Sequence, residues 1–152
     1  MILSYQSLLM RRPVFPFCER TKFNGMTFGC GPAGYDIRIA EDIFLPGQSF
    51  VLASSLEWFR MPTDLLGIVH DKSTWARKGL ALQNTVIEPG WSGYLTLELS
   101  NHTRSSIVID AGSPIAQIIF HLLDEPTIYP YPQDGKYQNQ KAGAQPAIFE
   151  DA

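Results

Sequence analysis

Residues 70–101, HDKSTWARKGLALQNTVIEPGWSGYLTLELSN, contain the segment that decides the fold. Within it, Tyr94–Leu99 alternates strictly between polar and apolar residues, which is typical of a half-buried β-strand. Because successive side chains on a strand point to opposite faces, its three leucines are predicted to face the core. Thr96 and Glu98 then face the other side. A carboxylate on a strand is held in a fixed position, which makes Glu98 a candidate functional group.

Polar residues also stand upstream of this strand. The composition of Glu88–Gly93 is typical of a turn, because Pro fixes φ and Gly supplies left-handed conformations, and we predict a hairpin whose tip carries Glu88. Two cations and two hydroxyl donors lie within six residues, namely Lys72, Ser73, Thr74 and Arg77. Such groups suit the oxygens of a phosphate. Since lone charges on strands and loops are commonly solvated, only the density of these residues favours an active site.

Composition limits the class of protein. A chain of 152 residues with 45% hydrophobic and 18% charged residues is typical of one soluble globular domain. The net charge of −3 argues against a surface that coats nucleic acid, although a nucleotide needs only a few local cations. Two cysteines are too few for a secreted disulfide framework. Without a signal peptide or an apolar run that spans a membrane, we expect a cytoplasmic protein with no membrane partner.

The chain order favours short strands. Ser4 is predicted to cap a helix that runs to about Arg12, and the segment from there to Gly34 reads as loop with at most one strand. Further strands are predicted at residues 35–39, 49–56, 65–69, 107–109 and 115–123. Eight or more short strands indicate a mainly β protein, a compact β-barrel or jelly roll. We assign residues 1–125 to this domain and residues 126–152, rich in Pro, Gln, Gly and Lys, to a tail.

Several common catalytic sites have no signature in the sequence. Zinc-dependent nucleotide deaminases need a His-x-Glu and a Pro-Cys-x-x-Cys, and neither motif occurs. There is no Gly-x-Ser-x-Gly nucleophile elbow and no glycine-rich phosphate loop. A zinc site and a nucleophilic Ser or Cys site are therefore not indicated by the sequence.

Longer stretches resemble a known family. LEWFRMPTDLLGIVHDKSTWARKGL, VIEPGWSGYLTLELSN, GSPIAQIIF and the tail piece GKYQNQ are similar, in this order, to the dCTP deaminases of the dUTPase superfamily. MILS at the start and the strand GYDIRI add to the resemblance, which covers nearly the whole chain. It implies a dUTPase-like distorted β-barrel or jelly roll and a homotrimer with active sites shared between subunits. It also implies a deoxynucleoside triphosphate carried with Mg²⁺, and no zinc.

The resemblance assigns roles to individual residues. The family's phosphate-binding loop falls on Lys72, Ser73, Thr74, Trp75, Ala76 and Arg77. Its catalytic glutamate falls on Glu98, and the pyrimidine-contacting strand on Thr96 and Leu97. Glu88 takes the place of an aspartate that contacts the deoxyribose, and the segment between Arg77 and Ile87 is about two residues shorter than expected. The tail residues that fold over bound nucleotide correspond to Tyr131, Lys136 and Gln140.

These assignments imply a zinc-independent dCTP deaminase that supplies dUTP for dTTP synthesis. Glu98 would act as general base on a water that attacks C4 of cytosine, while Ser73 and Arg77 orient the water and the carboxylate. One alternative is a dUTP pyrophosphatase, or a bifunctional enzyme that forms dUMP, in which Glu88 activates a water. That alternative lacks the glycine-rich phenylalanine arm typical of dUTPases. A second alternative is a catalytically inactive nucleotide-binding regulator.

Overall fold

The computed structural model describes residues 1–151 and consists mainly of β-strands. Its helices are α1 (Tyr5–Arg11) and α2 (Ser73–Ala76). Its strands are β1 (Val14–Phe15), β2 (Thr21–Phe23), β3 (Met26–Cys30), β4 (Tyr35–Arg38), β5 (Ile43–Leu45), β6 (Phe50–Arg60), β7 (Leu65–Asp71), β8 (Leu80–Leu82), β9 (Val86–Ile87), β10 (Ser92–Asn101), β11 (Ile107–Ile109) and β12 (Pro114–Leu122). The predicted mainly β class with a short N-terminal helix is confirmed.

Antiparallel pairing arranges the strands in three sheets around one core. The six-stranded sheet has the order β2-β3-β4-β12-β7-β9, and the four-stranded sheet the order β1-β6-β10-β8. A small two-stranded sheet pairs β11 with β5. Neighbours such as β4 and β12 are distant in sequence, so long connections cross between the sheets, as in a jelly roll. The largest fully buried side chains include Tyr35, Phe59 and Phe120.

Strand β10 runs through the centre of the four-stranded sheet. Leu97 and Leu99 are fully buried, as the alternation predicts. Leu95 is only half-buried, because the register between β10 and β6 shifts between Tyr94 and Thr96. There the hydroxyl of Ser55 on β6 accepts the N–H of Leu95 at 2.8 Å.

Two predictions about connections are wrong. The segment before Gly34 contains β1, β2 and β3, where the sequence was expected to form loop with at most one strand. The β2–β3 hairpin turns at Asn24 and Gly25, which have φ values of 47° and 77°. Asn-Gly is the preferred pair for such a tight turn, and the sequence carries this signal. Short strands flanked by Pro and Gly have too few residues to display an alternation.

The turn at Glu88 is not the tip of a hairpin. The N–H of Trp91 donates to the carbonyl of Glu88 at 3.1 Å, so the turn itself is present. However, β9 pairs with β7, whereas β10 pairs with β6 and β8. The turn therefore joins two different sheets. Glu88 itself is exposed in this turn.

Two buried ion pairs tie strands together inside this framework. Glu57 is fully buried, and its carboxylate accepts both the backbone N–H and the Nε of Arg38 at 2.8 Å. Lys72 is also buried, and its Nζ lies 2.8 Å from Oδ2 of Asp36. Neither helix of residues 1–151 has the length and apolar character needed to cross a membrane.

Candidate active site

A pocket of about 440 Å³ lies between β10, the segment before the Glu88 turn and the C-terminal tail. Its apolar lining includes Leu52, Trp91, Leu95, Tyr131 and Tyr137. Its polar side chains include Asn84, Glu88, Thr96, Glu98, Gln140 and Gln145. Apolar and aromatic walls with a few convergent polar groups are typical of a small-molecule site.

Glu98 is held at the pocket by the pairing of β10 on both sides. Its backbone faces Leu52 on β6, and its carbonyl accepts the N–H of Gln83 at 2.9 Å beyond the end of β8. The side chain is half-buried, and this burial raises the pKa of the carboxyl above its ordinary value. The raised pKa brings the carboxyl nearer to the pH range in which it can both accept and release a proton.

Asn84 lies beside Glu98 and was not identified from the sequence. Its Oδ1 accepts the backbone N–H of Glu98 at 2.9 Å, and its Nδ2 donates to the carbonyl of Thr96 at 2.7 Å. The residue sits in a connection between two short strands, where no periodic pattern marks it. The sequence therefore offers no signal for its role.

The tail crosses the pocket along the start of β10. The carbonyl of Gln140 accepts the N–H of Tyr94 at 2.9 Å, and a parallel bridge pairs Gln140 with Gly93. Gly93 has a φ of 146°, and a Cβ at this position would lie 2.6 Å from the nitrogen of Gln140. Glycine therefore lets the tail backbone approach β10. The indole Nε1 of Trp91 donates to the carbonyl of Tyr137 at 2.6 Å and fixes the next part of the tail.

The Thr96 hydroxyl joins the tail to the pocket wall. Its oxygen accepts Nε2 of Gln140 at 2.6 Å and the backbone N–H of Gln145 at 3.1 Å. The same Nε2 donates to the carbonyl of Tyr94 at 2.9 Å, which fixes the orientation of the Gln140 amide. With both lone pairs of the hydroxyl oxygen used, only its proton remains for another partner.

The structure brings together only part of the predicted site. The predicted residues that line the pocket are Glu88, Thr96, Glu98, Tyr131 and Gln140. Leu97 points into the core, and Lys136 is exposed, with Nζ 3.0 Å from the carbonyl of Ile148. The side chain of Lys136 also lies over the ring of Tyr137, 5.2 Å from its centre.

The predicted phosphate-binding loop does not line the pocket of its own chain. Exposed residues of this loop are Ser73, Thr74, Ala76 and Arg77. Trp75 is buried and donates its Nε1 to the carbonyl of Pro114 at 2.7 Å, and Lys72 is paired with Asp36. These contacts of Trp75 and Lys72 fix the loop. Its four exposed residues face outward.

The charge of the pocket is negative. Of the side chains from residues 1–151 that line it, two are carboxylates, Glu88 and Glu98, and none is a lysine or arginine. Residues 1–151 also contain no group of three His, Cys, Asp or Glu side chains placed to hold a metal ion. A triphosphate placed here would need cations from elsewhere, since carboxylates alone repel it.

Comparison with protein families and curated relatives gives a consistent result. The sequence model of the family described as dCTP deaminase-like matches residues 31–123. A dCTP deaminase from Acidobacterium capsulatum is 34% identical over 164 residues, which cover 88% of this chain and 90% of the relative. A dCTP deaminase from Campylobacter hominis is also 34% identical, with 90% of this chain and 88% of the relative covered.

Solved structures of similar fold are dUTPases. The native dUTPase of EIAV superposes with a TM-score of 0.55 at 24% sequence identity, covering 66% of this chain and 84% of that chain. The dUTPase of Staphylococcus bacteriophage 80alpha superposes with a TM-score of 0.58 at 18% identity, covering 74% of this chain and 80% of that chain. The predicted dUTPase-like fold is therefore confirmed.

Proposed function

The chain belongs to the dCTP deaminase-like family, and on that premise we propose that it hydrolyses dCTP to dUTP and ammonia. The observation that carries this proposal is the position of Glu98, a half-buried carboxylate on a strand inside the pocket. The deamination of cytosine at C4 needs one group that takes and returns protons. Glu98 has the burial and the fixed backbone for that task.

In this reaction Glu98 relays a proton twice. Free water has a pKa near 15.7, so it must lose a proton to a base as it attacks C4. Glu98 accepts that proton and delivers it to N3 of the ring, which leaves a tetrahedral C4 that bears hydroxyl and amino groups. It then takes the hydroxyl proton and passes it to the amino nitrogen. The C4–N bond breaks, ammonia leaves, and the C4 carbonyl of uracil forms.

The burial of Glu98 supports this double role. Burial raises the pKa of its carboxyl, so the protonated form is more accessible than for an exposed glutamate. A base with a pKa closer to the working pH takes up and releases protons with less bias towards either state.

A second copy of the chain completes the site in this proposal. The two carboxylates of the pocket supply no counter-charge for a triphosphate, whereas Ser73 and Arg77 are exposed on a loop anchored by Trp75. We place the loop of one subunit at the pocket of another within a homotrimer. Ser73 and Arg77 there orient the attacking water, and the loop binds phosphate oxygens.

Magnesium enters this scheme with the nucleotide, and zinc does not take part. Phosphate oxygens and water supply most of the six ligands that Mg²⁺ prefers, so the triphosphate itself would hold the ion and no residue of this chain is assigned to it. The ion then offsets part of the triphosphate charge. The argument against zinc depends on the absence of the zinc-deaminase motifs from the sequence. The cytoplasmic location and the tail boundary at residue 126 stay predictions.

Formation of dUMP is the second candidate activity. Glu88 lines the same pocket as Glu98, near the position predicted for the sugar. A carboxylate there is the group that a pyrophosphatase needs to activate a water at the α-phosphorus. Glutamate is one methylene longer than the usual aspartate, and such a displacement weakens an aligned attack.

The experiment separates these outcomes by their products. The purified protein is incubated with dCTP or with dUTP in the presence of Mg²⁺, and dUTP, dUMP, ammonia and pyrophosphate are quantified. We expect dUTP and ammonia from dCTP, and no consumption of dUTP. Glu98→Gln should lower turnover by about 10²–10⁴-fold and still bind dCTP, because it keeps the shape and loses the base.

The matched control removes a carboxylate far from the pocket. Glu125 is exposed and does not line the site, so Glu125→Gln should retain full activity. Near-normal deamination by Glu98→Gln would overturn the mechanism. Pyrophosphate and dUMP from dUTP would instead support the second activity, and binding without any product would support an inactive regulator.

A further inference from the structure

Asn84 occupies a place where the backbone of β10 loses its neighbouring strand. Strand β8 pairs with β10 only from Leu99 to Asn101, and the last backbone bond on this side joins the N–H of Gln83 to the carbonyl of Glu98. Beyond it, the N–H of Glu98 and the carbonyl of Thr96 still need partners. Backbone groups without partners permit local movement of a strand edge.

The side chain of Asn84 provides both missing partners. Its Oδ1 accepts the N–H of Glu98 at 2.9 Å and its Nδ2 donates to the carbonyl of Thr96 at 2.7 Å. A primary amide has the same donor and acceptor pair as a backbone unit, so it extends the β8 ladder by one step. In asparagine the donor and the acceptor stand side by side on one planar neutral amide, as they do in a backbone unit.

The opposite side of β10 makes this contact more important. Opposite Leu95 the register with β6 shifts, and the next pair after Thr96 and Ser54 is Tyr94 with Trp58. On the β6 side, the regular pairing of the segment that carries Glu98 therefore begins only at Thr96. A misplacement of about 1 Å at a reacting group is enough to lower a rate about 10²-fold.

We propose that Asn84 is a positioning residue for Glu98, one that fixes the backbone from Thr96 to Glu98 and so aims the carboxylate. The inference rests on the proposed function, because it assumes that the Glu98 carboxylate must be oriented for deamination. Asn84 also lines the pocket and keeps one N–H and one lone pair uncommitted, so contact with the ligand is the alternative role. The two roles differ in their kinetic effect.

The kinetic test compares Asn84→Ala with Gln83→Ala. Gln83 is the exposed neighbour, and its bond to Glu98 uses the backbone, so truncation of its side chain leaves both amide contacts intact. For Asn84→Ala we expect kcat to fall by about 10- to 100-fold while KM changes less than about threefold. In a Glu98→Gln background the same change should cause no further loss, because there is no base left to aim.

Hydrogen exchange tests the contact without requiring activity. The amide of Glu98 should exchange about 2- to 10-fold faster in Asn84→Ala than in the parent chain, since one hydrogen bond is lost. If the parent chain binds dCTP without deaminating it, and Asn84→Ala still speeds the exchange of the Glu98 amide, the proposed function is refuted. The contact between Asn84 and Glu98 would still stand. Asn84→Leu, which has a similar branched shape and loses both the donor and the acceptor, replaces the alanine variant if that variant does not fold.

Three results would overturn the proposal. A raised KM with unchanged kcat would assign Asn84 to ligand contact. Unchanged kcat, KM and exchange rate together would mean that the amide contacts have no influence on Glu98. Full additivity of Asn84→Ala and Glu98→Gln would likewise separate the two residues.

Discussion

Replacement of Thr96 by valine measures how firmly the tail is held over the pocket. Valine keeps the β-branched shape and the strand preference of threonine, and it removes only the hydroxyl. The hydroxyl oxygen accepts Gln140 Nε2 at 2.6 Å and the N–H of Gln145 at 3.1 Å. Each neutral hydrogen bond contributes about 0.5–1.5 kcal/mol, so the loss of both should destabilise the bound tail by about 1–3 kcal/mol.

Trypsin digestion measures this loss of tail stability as a rate of cleavage. Lys141 is exposed and lies between the two glutamines that Thr96 binds, so cleavage after it requires release of the tail. A change of about 1–3 kcal/mol raises the released fraction by about 5- to 150-fold. Cleavage follows that fraction when the tail rebinds faster than trypsin cuts, and mass spectrometry of samples taken over time gives the rate.

A serine variant separates the hydroxyl from the rest of the side chain. Thr96→Ser keeps the oxygen that accepts both donors, so its cleavage rate should stay close to that of the parent chain. Equal rates for the valine variant, the serine variant and the parent would refute the reasoning. The backbone bond from Tyr94 to Gln140 would then suffice to hold the tail.

Three further predictions concern charge and metal. Because burial raises the pKa of Glu98 and the base must be ionised, kcat/KM should fall with decreasing pH from a higher pH than for an ordinary glutamate; an acidic limb in the ordinary glutamate range would contradict this. Glu57→Gln should destabilise the fold by about 3–5 kcal/mol in urea unfolding, because Arg38 loses its buried charged partner; a change within error would show the pair to be dispensable. Zinc chelation with free Mg²⁺ maintained should leave deamination intact, and restoration by added zinc after a loss would overturn this expectation.

Much of the fold follows from regular patterns in the sequence. The helix Tyr5–Arg11 and the strands β4, β7 and β12 lie where the alternating or apolar runs predict them. The errors lie where elements are short. β1 has two residues and β9 has two, which is too short for an alternation to be recognised, and their partners β6 and β7 are distant in sequence. Tertiary pairing alone decides such strands.

The sequence predicted the two carboxylates of the candidate site, Glu88 and Glu98. It did not predict the residues that hold the surrounding backbone in place. Glu98 was predicted because it stands on the polar face of a regular strand and matches the catalytic glutamate of the family that the sequence resembles, and it does lie at the pocket. Asn84 was missed because its role depends on where β8 ends, which no local pattern specifies. Gly93 likewise allows the tail to approach only in the folded arrangement, where its missing Cβ faces Gln140.

The separation of the predicted groups within one chain has a physical consequence for the site. Glu98 and Glu88 meet in the pocket, whereas Arg77 is exposed and the cation of Lys72 is neutralised by Asp36. A carboxylate pocket that also carried these cations would pair with them, and such pairing would lower the pKa of Glu98. Glu98 instead has a raised pKa that is caused by burial alone. In the proposed trimer, cations from a neighbouring subunit would leave Glu98 without an ion pair only if they contact the phosphates and the water and do not contact the carboxylate itself.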